Sequence, residues 1–171
     1  MNVPADVRRF RVAQERGGVE HGATYQRAIT ELREGRKESH WIWYVLPQAR
    51  SGGSVNAREY QIRDRAEVEA YVADDVLWSR LTECVEAIDV AVANVADSRR
   101  SGDRLLHVMG SDIDRKKAIS CFTLFSLAVR GDTSERTRRF REIVGTPDDP
   151  TRIWDGNEPC SWTLALDWWV G

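Results

Sequence analysis

Residues 76–93 read VLWSRLTECVEAIDVAVA and carry the clearest periodic pattern in this chain of 171 residues. Apolar side chains recur there at i, i+3, i+4 and i+7 over about five turns, the spacing that gathers them on one face of an α-helix. The residues on that face are Val76, Leu77, Leu81, Cys84, Val85, Ile88, Ala91 and Val92. The pattern predicts a core helix and favours a mainly α fold.

Helical patterns also occur on both sides of this segment. Residues 119–129 are apolar nearly all round, which predicts a helix in the middle of the packing. The stretch SGGSVNA, residues 51–57, is rich in turn-forming residues and predicts a loop. The further predicted helices cover residues 5–15, 23–35, 65–73, 111–130 and 133–144. Together they predict a single compact, mainly α domain of about six helices.

An aromatic-rich C-terminal tail follows the helical part. We expect residues 1–146 to form the helical domain and residues 147–171 to form a Trp-rich extension packed on it. The last stretch, CSWTLALDWWVG, fits both the alternation of a strand and one face of a helix. Four of the seven tryptophans lie after position 153, so the tail either docks on the domain or meets a partner.

Charge and composition restrict the function classes. The chain has 25 basic and 27 acidic residues, a formal net charge of −2, which argues against a duplex nucleic-acid binder. Its apolar runs are too short to span a membrane, and no secretory pattern opens it, so we expect a cytoplasmic protein. The cysteines show no CxxC spacing, the three histidines are scattered, and no metal or cofactor is expected. The cysteines are interpreted as buried thiols.

The stretch GRKESHWIWYVLPQAR, residues 35–50, is the first candidate for a functional site. If residues 33–40 are helical, Arg36 and His40 lie four apart on one face, beside Lys37. Such a face can bind a phosphate or carboxylate, and the tryptophans that follow can stack on a planar ring. The alternative is that Trp41 and Trp43 are core residues and that the cationic residues form a solvated edge.

The second candidate is GSDIDRKKAIS, residues 110–120. Asp114 and Lys117 form an i, i+3 pair if a helix has begun. Asp114 can act as a base or stabilise a developing oxocarbenium ion, although a carboxylate at a helix start is commonly only a cap. GxSxG, P-loop, HExxH and Rossmann glycine patterns are absent from the sequence, so those chemistries are not supported.

The motifs GRKxSHWxWYxxPQ and GxxxDxxKxxSxxTLF resemble domain-of-unknown-function family 1810 over about residues 10–140. The resemblance implies a compact, mostly helical cytoplasmic domain and no established reaction. In the first motif it falls on Arg36, Lys37, Ser39, His40, Trp41, Trp43, Pro47 and Gln48. In the second it falls on Gly110, Asp114, Lys117, Ser120, Thr123, Leu124 and Phe125. Two motifs with such specific polar residues favour a shared pocket, in which Asp114 and Lys117 come within reach of His40.

The sequence supports two hypotheses of function. The first is an enzyme for an anionic or aromatic small molecule, nucleotide-like or phosphorylated, that hydrolyses a glycosidic bond by acid/base catalysis. Its catalytic residues are His40 and Asp114, and its ligand contacts are Arg36, Lys37, Trp41, Trp43, Gln48, Lys117 and Ser120. The second is a non-enzymatic helical interaction module, in which the tail meets a protein partner or a second copy of the chain.

Overall fold

The computed structural model describes residues 6–49, 53–96 and 102–169, and these residues form a mainly helical fold. The α-helices of the described residues are α1 (Arg8–Arg16), α2 (Tyr25–Arg33), α3 (Ile42–Val45), α4 (Val55–Glu59), α5 (Arg65–Ala73), α6 (Asp75–Asn94), α7 (Asp103–Met109), α8 (Asp112–Ala128), α9 (Glu135–Val144) and α10 (Ser161–Leu164). Two-residue strands β1 (Gly145–Thr146) and β2 (Asp149–Pro150) pair antiparallel. Single 3₁₀ turns cover Arg152–Trp154 and Asp167–Trp169.

The predicted core helix is the centre of the fold. Helix α6 packs against α1, α2, α5, α7 and α9, and its predicted apolar face is buried except for the half-buried Val76. Asp74 caps its start, because the side-chain carboxylate accepts hydrogen bonds from the backbone N–H groups of Val76 and Leu77. The mainly helical prediction is confirmed.

Helix α8 lies in the middle of the packing, as its all-round apolar pattern predicts. Residues 118–126 are buried without interruption, and α8 contacts α3, α5, α7, α9 and α10. Ser111 caps the helix by accepting a hydrogen bond from the backbone N–H of Asp114. The first two turns of α8, with Asp114 and Lys117, therefore lie at the edge of the core.

The condition that residues 33–40 are helical is not met. Helix α2 ends at Arg33, and Gly35 adopts a left-handed φ of 85°. The backbone N–H of Arg36 donates to the carbonyl of Glu31, and that of Gly35 donates to the carbonyl of Leu32, the two bonds of a Schellman motif. Arg36 and His40 therefore do not share a helical face, because the glycine lets the chain reverse direction.

Short helices account for the difference between about six predicted helices and those observed. Residues 55–59 were expected partly as loop but form α4, because the hydroxyl of Ser54 caps its N-terminus. Residues 51–52 of the predicted loop lie outside the described residues. Helices α3, α7 and α10 are likewise too short for a periodic pattern to reveal.

The described part of the tail contains strand β2, helix α10, two 3₁₀ turns and the loops between them, and it packs against the preceding helices. Trp154 is buried, donates its indole N–H to the carbonyl of Val144 and packs edge-on against Phe122. Thr163 of α10 is also buried, whereas Trp162 is 41% exposed. Cys84 and Cys121 are buried as predicted, but Cys160 is only half-buried. The described residues contain no helix with the length and apolarity that crossing a bilayer requires.

Candidate functional site

A buried carboxylate organises the first sequence motif. Glu31 lies on α2 and is completely buried. Its Oε2 accepts hydrogen bonds from the backbone N–H groups of Glu38 and Ser39, at 2.9 and 3.0 Å, and from the indole N–H of Trp41, at 2.8 Å. Its Oε1 accepts from the hydroxyl of Ser39 and from Arg27, at 2.6 and 2.9 Å. The turn of residues 38–41 is therefore wrapped around a single carboxylate.

This environment holds Glu31 in its ionised form. Burial alone would raise the pKa of its carboxyl group, since desolvation disfavours a charge. The hydrogen bonds from Ser39, Glu38 and Trp41 outweigh burial and lower the pKa to about 2. The serine, the first tryptophan and two backbone amides of the motif GRKESHW thus all donate hydrogen bonds to Glu31 of the preceding helix.

Lys37 connects the first motif to the second. It is 7% exposed, and its ammonium group lies 2.7 Å from Oδ2 of Asp114 and 2.8 Å from the carbonyl of Ser39. The same ammonium lies 5.1 Å from the centre of the Trp41 ring, within cation–π range. The backbone N–H of Lys37 donates to the carbonyl of Val108, at the end of α7. Main chain and side chain together attach the turn to the α7–α8 corner.

Gly110 makes this attachment possible. It has a φ of 78°, and a Cβ atom at this position would lie 2.8 Å from the carbonyl oxygen of Lys37. Only a residue without a side chain permits both the left-handed conformation and the close approach. Gly110, at the start of the second motif, therefore leaves the space that the backbone carbonyl of Lys37 occupies.

The second motif completes a polar cluster. Lys117 lies 3.2 Å from Oδ1 of Asp114, and its ammonium is 4.5 Å from the centre of the Trp43 ring. His40 stacks on that same ring, with centroids 6.4 Å apart and an interplanar angle of 29°. We call Lys37, Trp43, Asp114 and Lys117 the junction cluster. It carries two cations and one anion, so its excess charge is positive.

The remaining predicted site residues differ in position and exposure. Arg36 and His40 are exposed, and Trp43 is half-buried. Trp41 is completely buried between Glu31 and Lys37, so its ring offers no free face to a ligand in this conformation. The structure thus joins His40, Trp43, Lys37, Asp114 and Lys117 through direct contacts.

Gln48 and Ser120 are engaged elsewhere. Gln48 is 4% exposed, and its backbone carbonyl accepts the N–H of Ile62. Ser120 is 7% exposed, and its hydroxyl lies 3.2 Å from the hydroxyl of Thr163 in the tail. Among the residues that the structure describes, no three His, Cys, Asp or Glu side chains gather where they could hold a metal ion.

The sequence contained a signal for Glu31 that pattern reading missed. Helix α2 buries Ala28, Ile29 and Leu32, and position 31 follows Ala28 by three residues. Positions three apart on a helix are neighbours, so a charged residue there falls on the buried side. A buried charge needs partners, and the turn of residues 38–41 supplies them.

The fold and the site define a mainly helical domain in which two motifs, far apart in the chain, meet through a lysine–aspartate contact. The chain belongs to the family described as "Protein of unknown function (DUF1810)", which matches residues 4–152 and confirms the resemblance found in the sequence. Among curated proteins, none matches this chain.

A solved structure shares the fold. It is the conserved hypothetical protein Rv1873 from Mycobacterium tuberculosis, with 30% sequence identity and a TM-score of 0.67. The likeness covers 95% of this chain and 96% of that chain. Since so little of the chain is left uncovered, the likeness extends past residue 152 into the tail.

Proposed function

We propose that the junction cluster, with His40 beside it, binds an anionic small molecule that carries a planar ring, such as a nucleotide-like or phosphorylated compound. The observation that supports this most is the placement of Lys117 over the Trp43 ring, with His40 stacked on the same ring. A cation, an accessible aromatic ring and an exposed imidazole then adjoin one another at the surface. These groups match the phosphate and the base of such a ligand.

Lys117 is the anion contact in this proposal. Its side chain is 18% exposed and shares Asp114 with Lys37, whose side chain is only 5% exposed. Two ammonium groups on one carboxylate leave one positive charge uncompensated. A phosphate can therefore pair with Lys117 while Asp114 keeps its contact with Lys37. Arg36 is exposed and precedes Lys37 directly, and in this proposal its guanidinium adds a second cationic contact to the anion.

The reaction we propose is hydrolysis of a glycosidic bond. Water attacks the anomeric carbon, the bond to the leaving group breaks, and His40 donates the proton that the leaving group takes. The proton that the attacking water loses passes to solvent, from which His40 is protonated again. Asp114 stabilises the positive charge that develops on the sugar ring. Its two lysine contacts hold the carboxylate in a fixed direction while it does so.

Binding can be tested with neighbouring lysines. We expect AMP to raise the melting temperature of the wild type and of Lys116→Ala, but not of Lys117→Ala. Lys116 is the matched control, because it is 69% exposed and pairs with Asp112 rather than with the junction cluster. A ligand at 100 times its dissociation constant stabilises by about 2.7 kcal/mol, which a thermal-shift assay resolves.

Three further ligands test which part of AMP is recognised: adenosine, ribose 5-phosphate and inorganic phosphate. Chromatographic detection of free adenine then tests the reaction. The variant His40→Ala should bind AMP but release no adenine from it. The same stabilisation of Lys117→Ala and wild type, or no stabilisation by any of the four ligands, would refute the proposal.

One observation supports the interaction module as a second candidate. Trp162 and Leu164 of the tail are 41% and 44% exposed. Exposed large apolar side chains on one short segment are typical of a contact surface. In this alternative the tail, and not the junction cluster, carries the function.

A further inference from the structure

We propose that Glu31 is the positioning residue of the junction cluster: its carboxylate shapes the turn of residues 38–41 and so sets Lys37 and Trp43 against α8. The consequences of this role for ligand affinity rest on the function proposed above. Glu31 itself touches no ligand, since it is completely buried. It acts through the residues that donate to it.

A buried charge at position 31 destabilises the fold unless hydrogen bonds compensate for its desolvation. The rest of the buried face of α2 is apolar or aromatic, so a leucine or methionine would fill the space without the cost of desolvating a carboxylate. Glu31 instead collects donors from one short segment, including the backbone N–H groups of residues 38 and 39. Those amides lie outside any helix or strand, and the carboxylate is the partner that fixes their direction.

The contacts of Glu31 continue into the junction cluster in a closed ring. The indole of Trp41 donates its N–H to Glu31 and offers its face to the ammonium of Lys37. Lys37 reaches Asp114, Asp114 holds Lys117, and Lys117 lies over Trp43. Trp43 follows Trp41 by two residues, which closes the ring through the backbone. A shift of Trp41 therefore moves both ends of the cluster.

Each charged group along this ring strengthens the contact that its neighbour makes with the next group. A carboxylate that accepts from the indole N–H increases the electron density of the Trp41 ring, which attracts the Lys37 ammonium more strongly. Lys37 in turn holds Asp114 in the direction from which it contacts Lys117. Removing the negative charge at position 31 weakens the first link, while removing the side chain takes away every link to the turn.

Four variants separate positioning from general stability. Glu31→Ala removes the acceptor. Glu31→Gln keeps one oxygen for the three donors to Oε2 and can turn its amide toward the Ser39 hydroxyl. Ser39→Ala is a milder variant for use if Glu31→Ala does not fold. Phe140→Leu is the stability control, because Phe140 is buried in α9 against Trp78.

The first measurement needs no ligand. Lys117 over the Trp43 ring should show NMR resonances of its terminal methylene protons shifted upfield by the ring current. We expect Glu31→Ala to return them to ordinary positions and Ser39→Ala to move them the same way by less. Glu31→Gln should shift them less than Glu31→Ala does, because it keeps an acceptor but loses the charge, and Phe140→Leu should leave them near the wild-type values. If Glu31→Ala or, where it does not fold, Ser39→Ala moves them no more than Phe140→Leu does, the positioning role is overturned.

The second measurement is AMP affinity by calorimetry, well below the melting temperature of each variant. We expect about tenfold weaker binding in Glu31→Ala, with partial rescue by Glu31→Gln and no change in Phe140→Leu. Equal affinity in wild type and Glu31→Ala would also overturn the positioning role. If the wild type does not bind AMP while the Lys117 resonances respond as expected, the proposed function fails and the positioning role stands.

Discussion

At the scale of single residues, polar side chains of the first motif bind carboxylates from other parts of the chain rather than solvent. Lys37, Ser39 and Trp41 look like ligand contacts in the sequence, yet their polar atoms meet Asp114 and Glu31. A buried polar atom without a partner costs on the order of 1–3 kcal/mol, so these pairings decide the shape of the turn. The residues left accessible beside them are His40, Trp43 and Lys117.

The pH dependence of stability tests the state of Glu31. Its pKa falls from an ordinary 4.5 to about 2 on folding. A lowered pKa contributes stability that is complete above the unfolded value and is lost as the pH falls from 4.5 toward 2. The contribution at neutral pH is about 3 kcal/mol, since each pKa unit corresponds to about 1.4 kcal/mol.

Urea unfolding between about pH 6 and pH 3 measures this contribution. Other carboxylates, such as Asp74 with its lowered pKa, add to the loss in the wild type. The matched control is Glu31→Gln, which has no charge to lose and should show a correspondingly shallower loss. Parallel curves for the two proteins would mean that Glu31 ionises as in the unfolded chain.

At the scale of elements, the corner between α7 and α8 receives the turn that follows α2. The N–H of Lys37 donates to the carbonyl of Val108, while Gly110 leaves room for the carbonyl of Lys37. The corner therefore aligns one helix start with a loop from a distant part of the chain. This alignment brings Asp114 to Lys37.

Alanine at two glycines tests the close approach. Gly110 and Gly131 both have a left-handed φ, of 78° and 80°, but a Cβ at Gly131 would meet nothing within 4 Å. Gly131→Ala should cost about 1 kcal/mol for the conformation alone. Gly110→Ala should cost about 1–2 kcal/mol more, because the Lys37 carbonyl must move. Chemical denaturation compares the two, and equal losses would show that the contact with Lys37 contributes nothing.

At the scale of the whole molecule, the tail closes over α8. Thr163 meets Ser120, and the backbone N–H of Cys160 donates to the hydroxyl of Thr123. These contacts anchor α10 and leave Trp162 and Leu164 exposed. The interaction module requires those two side chains at its contact surface, whereas the small-molecule function does not use them.

Size-exclusion chromatography of a tail variant distinguishes the two functions. On the small-molecule function, Trp162→Ser with Leu164→Ser leaves both the elution volume and the AMP affinity unchanged, since neither side chain belongs to the junction cluster. Val90→Ser, at a 58% exposed position of α6, is the control for a lost surface apolar group. A changed elution volume in the tail variant alone would favour the interaction module.

The long helices could be predicted, whereas the short ones and the turn could not. Helices α6 and α8 bury many apolar residues in register, so their periodicity survives every tertiary detail. Helices α3 and α4 have four and five residues, too few for a period to appear. Residues 34–40 form no helix, although Arg36 and His40 are spaced like helix neighbours, because the Schellman bonds at Gly35 end α2 first.

By itself, the sequence determined that this chain folds into helices, where its core helices lie and which family it belongs to. These properties depend on local spacing and on residue types, and both can be read in order along the chain. Tertiary structure alone decided that Glu31 is the centre of the first motif and that Lys37, Asp114, Lys117 and Trp43 meet. The physical reason is that a buried charge selects its partners by proximity after the chain has turned back, and no local pattern records which distant group will be near.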